Sequence, residues 1–157
     1  MMSIPPDRDL VLLFTALRAA CDAGVTRRVA AGFGDVRPAH GYVFQHLIAG
    51  PVRITELARK LGMTAQGASK LVIELERLGY VIRRGDPSDQ RNRLVSLTER
   101  GWAVIEAGRA ARADINAELR GLLGDPAADQ LLITLQYLAE HTGGLQELLA
   151  RRLRPGH

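Results

Sequence analysis

The side chains that could do chemistry lie close together between Ile54 and Gly101. If residues 65–78 form a helix, Gln66, Lys70, Ile73 and Arg77 share one face with Ser69 beside them, opposite Ala68, Leu71, Val72, Leu75 and Leu78. The apolar face would anchor the helix and leave small, polar and basic groups to meet a partner. Those groups suit base edges and phosphates. Glutamine can bond adenine through two atoms, a small alanine can sit against a thymine methyl, and lysine offers phosphate a point charge. Ala65, Gln66 and Ser69, at the N-terminal end, are the expected base-edge group. Lys70 is the expected phosphate contact, and Arg77 extends the basic face. Thr64 can give its hydroxyl to a phosphate or to the helix start, and Gly67 permits a close backbone approach. A second cluster follows: Arg83, Arg84, Arg91 and Arg93 against Asp86 and Asp89. Arginines on an exposed hairpin suit a minor groove, and Asp89, two residues before Arg91, can hold that guanidinium in place. Residues 52–100 hold ten Lys/Arg and six Asp/Glu, so an excess equal to the chain's whole net charge of +4 sits there.

The elements that must position these groups are legible around them. Thr55 caps a short helix over 56–61 with Leu57, Ala58 and Leu61 inward, and Thr64 caps the helix 65–78. Gly79 ends that helix. Residues 80–84 and 93–97 read as strands joined by a loop of about eight residues whose Asp86-Pro87-Ser88-Asp89 run is turn chemistry. From Thr98 a helix runs to about Leu123. This is a helix-turn-helix followed by a β-hairpin wing, an arrangement that lays its second helix in a major groove.

Long amphipathic helices flank the module. The first is expected over 8–31, charged or capped by Asp7, with Leu10, Leu13, Phe14, Leu17, Ala20 and Cys21 in one stripe and Gly24 weakening its middle. Gly32-Phe33-Gly34-Asp35 breaks it, and Pro38 opens a helix running to about Ala49. The last helix is expected over 126–153 with Asp125 as its cap. Leu131, Leu135, Leu138, Leu145 and Leu149 form a seam close to a 3.5-residue repeat, with Gly143-Gly144 able to bend or loosen it. Helices this apolar at both ends of a short chain most simply bury themselves against a second copy, so a homodimer is expected.

The fold class expected is mainly α with a small β-hairpin: one domain over 1–157, with dimerisation helices at 8–34 and 124–157, a DNA-binding lobe at 36–101 and a connecting helix at 102–123. Composition agrees. Aromatic residues are 4% of the 157, and Ala, Leu and Arg abound. A pI of about 9.8 is compatible with a polyanionic partner. No signal peptide or membrane-spanning run is evident, so a cytoplasmic protein with no membrane partner is expected. The single cysteine, Cys21, permits no intrachain disulfide. Its place on an apolar stripe favours a structural role over a redox switch. His40, His46, His141 and His157 contain no i, i+4 pair, so no metal site is expected. His40, Tyr42 and Trp102 could line a ligand pocket or simply pack. Arg151, Arg152 and Arg154 most simply complement a helix C-terminus. No catalytic motif is present, and neither catalytic residues, a cofactor nor an enzyme is expected.

These residues resemble the MarR-type winged-helix transcriptional regulators. The family's Asp-x-Arg, five residues, Leu-Thr signature is matched by Asp89-Gln-Arg91 and Leu97-Thr98, and its Leu-Ala-x-x-Leu-Gly by Leu57-Ala58-Arg-Lys-Leu61-Gly62. Leu75-Glu76-Arg77-Leu78-Gly79-Tyr80-Val81 is similar to its exit into the wing, and Arg37-Pro38-Ala39-His40 to the start of its second helix. The resemblance implies a dimeric repressor, less often an activator, on double-stranded DNA with a pseudo-palindromic operator. It also implies release by a small, often phenolic, effector bound between the dimer helices and the lobe; other members sense oxidants through a cysteine. Two further readings from the residues are a winged helix that docks another protein and a small-molecule-binding dimer without DNA activity.

Overall fold

Asp9 opens the first helix, α1 (Leu10–Ala30), its carboxylate accepting hydrogen bonds from the Val11 and Leu12 amides at 3.0 and 3.1 Å. The cap expected at Asp7 is thus made two residues later; Asp7 itself lies outside the described residues. The computed structural model describes residues 9–86 and 89–150, without the side chains of 89–92. Helix α2 (Pro38–Leu47) starts at the expected proline and stops two residues short of Ala49. Strand β1 (Val52–Arg53) was not foreseen. It runs directly into α3 (Ile54–Leu61), so Arg53 takes the cap position with extended backbone and Thr55 falls inside the helix. A two-residue strand carries too short a pattern to read. It exists because it pairs with a third strand, Val52 opposite Val95 and Arg53 opposite Leu94.

Then come α4 (Ala65–Arg77), β2 (Val81–Asp86), β3 (Asp89–Leu97) and α5 (Glu99–Leu123). The sheet is antiparallel in the order β1-β3-β2. Both hairpin strands run further than expected. Asp86 pairs with Asp89 across a register shift at Gly85/Asp86, so the ladder takes up most of the eight-residue loop.

Gly124 (φ +75°) separates α5 from α6 (Asp125–His141). Asp125 is therefore the first helical residue and not the cap; it pairs with Arg120 at 3.2 Å. The single C-terminal helix expected over 126–153 is two helices. Gly143 at φ +74° ends α6, and α7 (Gly144–Ala150) restarts after it. That φ lies in the left-handed region, which a continuing α-helix cannot contain. Residues 151–157, with the three C-terminal arginines, lie outside the described residues.

The core belongs to the middle of the chain. Val43, Phe44, Leu47, Leu57, Leu61, Val72, Leu75, Tyr80, Val81 and Val95 are buried together, joined by Val104 and Ile105 from the start of α5. The far half of α5 leaves this core and crosses α1. There Gly24 is buried, and a Cβ on it would lie 3.0 Å from Ile115 Cδ1. The glycine expected to weaken α1 is what lets the two helices approach. Arg28 ties the crossing by pairing with Glu118. Beyond it, α1 and α6 have little to pack on: Leu10, Leu13, Phe14, Leu17, Leu131, Leu132, Tyr137 and Leu138 are all exposed. Cys21, in α1, is half-buried.

Candidate nucleic-acid interface

Both ends of α4 are held by local backbone chemistry. Gly62 adopts φ +67° and closes α3, which turns the chain into Thr64. The Thr64 hydroxyl oxygen accepts from the Gly67 amide at 3.1 Å, so of its two expected uses the capping one is seen. Gly67 was expected to leave room for a partner. A Cβ there would meet Met63 Cε at 3.1 Å and Thr64 Oγ at 3.2 Å, so the glycine also leaves room for the cap. At the other end Gly79 (φ +79°) donates to the Glu76 carbonyl and Tyr80 to the Leu75 carbonyl, both at 2.9 Å. This crossed pair terminates a helix when its residue at that point can turn left-handed.

Between these ends the apolar stripe is seated as expected. Ala68, Val72 and Leu75 are fully buried, and Leu71 and Leu78 half-buried. The opposite face is open: Ala65, Gln66, Lys70 and Arg77 are exposed, Ser69 is half-buried, and Ile73 is 48% exposed. Ile73 therefore does not pack beneath the wing.

The acids of α4 are taken up from either side. Glu74 pairs with Arg37 at the start of α2. His40 also turns toward it, with Nε2 3.6 Å from Glu74 Oε1. The His40 ring is fully buried, and its Nδ1 accepts from the Arg37 amide at 3.1 Å. Burial holds its pKa below that of an ordinary histidine. Glu76 accepts Arg83 Nε at 2.8 Å and the Arg83 amide at 3.2 Å; the guanidinium hydrogen bond, foremost, holds its carboxyl below the usual range. Both carboxylates are thereby neutralised where they flank the open face. Lys70, Arg77 and the exposed Arg84 have no ion-pair partner among the described residues.

The expected wing group divides. Arg83 is half-buried on Glu76, while Arg84 and Arg93 are exposed. The side chains of Asp89 and Arg91 lie outside the described residues. Asp86 is 6% exposed and bound by Arg53, whose Nε stands 2.8 Å from its carboxylate, so the far end of β2, next to the wing's turn, is clasped to β1. Of the three tentative pocket residues, His40 is enclosed in the Arg37–Glu74 group, Tyr42 is half-buried against the core, and Trp102 is 40% exposed on α5. Among the described residues no three His, Cys, Asp or Glu side chains gather to hold a metal, and no helix is long and apolar enough to cross a membrane.

Sequence reasoning missed a group at the junction of lobe and flanking helices. Asp35, Tyr80 and Arg100 meet there from positions up to 65 residues apart; Asp35 reads in the sequence only as part of a helix break and Tyr80 as part of the exit into the wing.

With this geometry in view, the relatives are informative. The model of the MarR family matches residues 35–92. A transcriptional activatory protein, BadR, of Rhodopseudomonas palustris is 31% identical over 108 residues, which are 69% of this chain and 61% of that protein. The chain thus spans about three-fifths of that relative's length. A shorter stretch of 51 residues is 40% identical to part of riboflavin kinase from Thermoplasma volcanium, 32% of this chain but 22% of that enzyme. Among solved structures, a mutant of MepR from S. aureus bound to an oligodeoxyribonucleotide superposes with a TM-score of 0.69 at 20% identity, over 85% of this chain and 98% of that one. At that identity the likeness is one of fold.

Proposed function

Because the chain belongs to the MarR family, we propose that it is a transcriptional regulator that binds duplex DNA as a homodimer, laying α4 in the major groove and the wing along the adjacent minor groove. One observation carries this reading. The open face of α4 presents Gln66, with Lys70 and Arg77 lacking an ion-pair partner among the described residues, while Glu74 and Glu76 beside it are neutralised by Arg37 and Arg83. The field there is positive, as phosphates require. Ala65, Gln66 and Ser69 are the base-edge group. Lys70, Arg77, Arg84 and Arg93 meet the backbone or the minor groove, and Asp89 and Arg91 are assigned there from the sequence motif. Thr64, Gly67 and Arg83 serve by shaping α4 and the wing. The relative solved with an oligodeoxyribonucleotide has the same fold.

The apolar faces of α1, α6 and α7 support the dimer. Leu10 and Leu17 are 64% and 54% exposed, and Leu148 and Leu149 are 64% and 63%. A patch of this extent marks an association surface. We assign the protein to the cytoplasm and no catalytic activity to it; the stretch shared with riboflavin kinase is less than a quarter of that enzyme. Response to a small aromatic effector is drawn from the family resemblance, with Tyr42 and Trp102 the candidate contacts; His40 is too enclosed to be one.

Fluorescence-anisotropy titration of the protein with the DNA beside its own gene tests the reading. Tight binding that weakens steeply as salt rises is expected. No binding, or binding indifferent to salt, would refute it.

A further inference from the structure

The chain passes between the lobe and the flanking helices at two places: residues 31–37, between α1 and α2, and the start of α5. One cluster joins both. The Tyr80 hydroxyl donates to Asp35, and Arg100 reaches the same pair, its Nη2 3.3 Å from Asp35 Oδ2 and 3.1 Å from the Tyr80 oxygen. The Arg100 guanidinium lies 4.7 Å from the centre of the Tyr80 ring and 5.7 Å from that of Phe33. Flat cations over aromatic faces are attracted at such distances. Tyr80 is fully buried, and its ring also meets Phe44 of α2 at 5.7 Å between centroids.

Tyr80 is the third residue beyond Arg77, the end of α4, and its amide closes the helix's last turn. Its carbonyl accepts from the Thr98 amide at 3.1 Å, and the Thr98 hydroxyl donates to the Gly79 carbonyl at 2.7 Å while capping α5. The start of α5 therefore cannot shift without moving Tyr80, and Tyr80 cannot move without α4.

We infer that Asp35, Tyr80 and Arg100 form the joint that fixes the angle of each lobe on the dimer helices, and so the separation of the two α4 helices; Arg100 is a positioning residue for operator binding that touches no DNA. This rests on the dimeric DNA-binding reading above. Two lobes on one dimer bind as a bivalent ligand, whose gain depends on how stiffly their separation is held. A stiff joint makes affinity sharply dependent on half-site spacing, because each added base pair also rotates one half-site by about 35° around the duplex. A slack joint flattens that dependence.

The test measures affinity for an operator located in the DNA beside the protein's own gene and for versions with one base pair inserted or removed at its centre, using wild type, Arg100→Gln, Arg100→Lys and Tyr80→Phe. Tyr80→Phe removes only a hydroxyl and keeps the buried ring, so it guards against loss of folding. In wild type a one-pair change should cost about tenfold or more; in Arg100→Gln and Tyr80→Phe the cost should shrink to about threefold or less, with Arg100→Lys between. Affinity for unrelated DNA should stay within about twofold. A residue that only stabilised the fold would lower the melting temperature and leave the spacing dependence sharp. That outcome overturns the joint. If wild type binds no DNA, or shows no spacing dependence, the dimeric DNA-binding reading fails and the joint's role falls with it.

Discussion

Gly101 poses a direct contest between two effects of opposite sign. It sits in the first turn of α5, where replacing glycine by alanine ordinarily favours the helix by up to about 1 kcal/mol. Here a Cβ would lie 2.2 Å from the Tyr80 carbonyl oxygen and 3.0 Å from Leu97 Cδ2. The first contact is more than an ångström inside ordinary van der Waals distance and involves backbone on both sides, so no side chain can rotate away. Forcing the elements apart costs about 1–3 kcal/mol as overpacking. It also stretches the Thr98 amide to Tyr80 carbonyl hydrogen bond, worth about 1 kcal/mol or more when a buried group loses its partner. Sterics win, and Gly101→Ala should destabilise by about 2–4 kcal/mol, a fall in melting temperature of roughly 5–15 °C for a chain of this size. Gly41 in α2 is the control. Nothing lies within 4 Å of a Cβ there, so Gly41→Ala should be neutral or stabilise by up to about 1 kcal/mol. Urea unfolding followed by circular dichroism, at one protein concentration because a dimer's stability depends on it, measures both. Gly101→Ala as stable as wild type, or more so, would refute the geometry at the lobe's junction.

Lys70→Ala should weaken binding to all DNA sequences alike and reduce the salt slope by about one unit; a changed base preference at constant slope would contradict a phosphate contact. Ile73, apolar and open between Lys70 and Arg77, should rest on the one apolar group of the major groove. Replacing one symmetric thymine of the operator by uracil should then cost about fourfold, the worth of a buried methyl, and Ile73→Ala should abolish the difference; indifference of wild type to every such replacement would sink this. His40 is held neutral by burial, so the unfolded chain protonates first. Its contribution to stability is whole above the unfolded pKa of about 6.5 and is lost as pH falls toward the depressed folded value. The drop in urea midpoint from about pH 7.5 to about pH 5.5 should shrink in His40→Gln; an undiminished drop would show that other groups carry it.

What was legible in the sequence divides by the distance over which each signal acts. The α4 stripe of Ala68, Val72 and Leu75, its Thr64 cap and its Gly79 stop are all written within 16 consecutive residues, and each stands where the pattern places it. Local signals erred by small steps where a neighbouring element competed. β1 drew the start of α3 back from Thr55, and the β3 ladder drew the strands into the expected loop. The C-terminal seam kept its 3.5-residue rhythm across Gly143, so periodicity alone could not report the left-handed residue that splits the helix.

The pairings were not legible, and they matter most for function. Glu74 and Glu76 read as two acids on a helix meant for phosphate. Their neutralisation needs Arg37, 37 residues earlier, and Arg83, seven later on a strand whose side-chain direction is set by the sheet register. Asp35, Tyr80 and Arg100 are likewise ordinary in their own segments and meet only when α5 returns beneath the end of α4. Periodicity decides which face of an element is buried. It is silent about which charge on the open face will find a partner, and here that decides the sign of the field the DNA would meet. Of the four basic residues of α4, β2 and β3 with described side chains that the pattern aimed at DNA from Arg77 onward, Arg83 alone is spent on an acid, and through Glu76 it makes α4 and the wing a single unit.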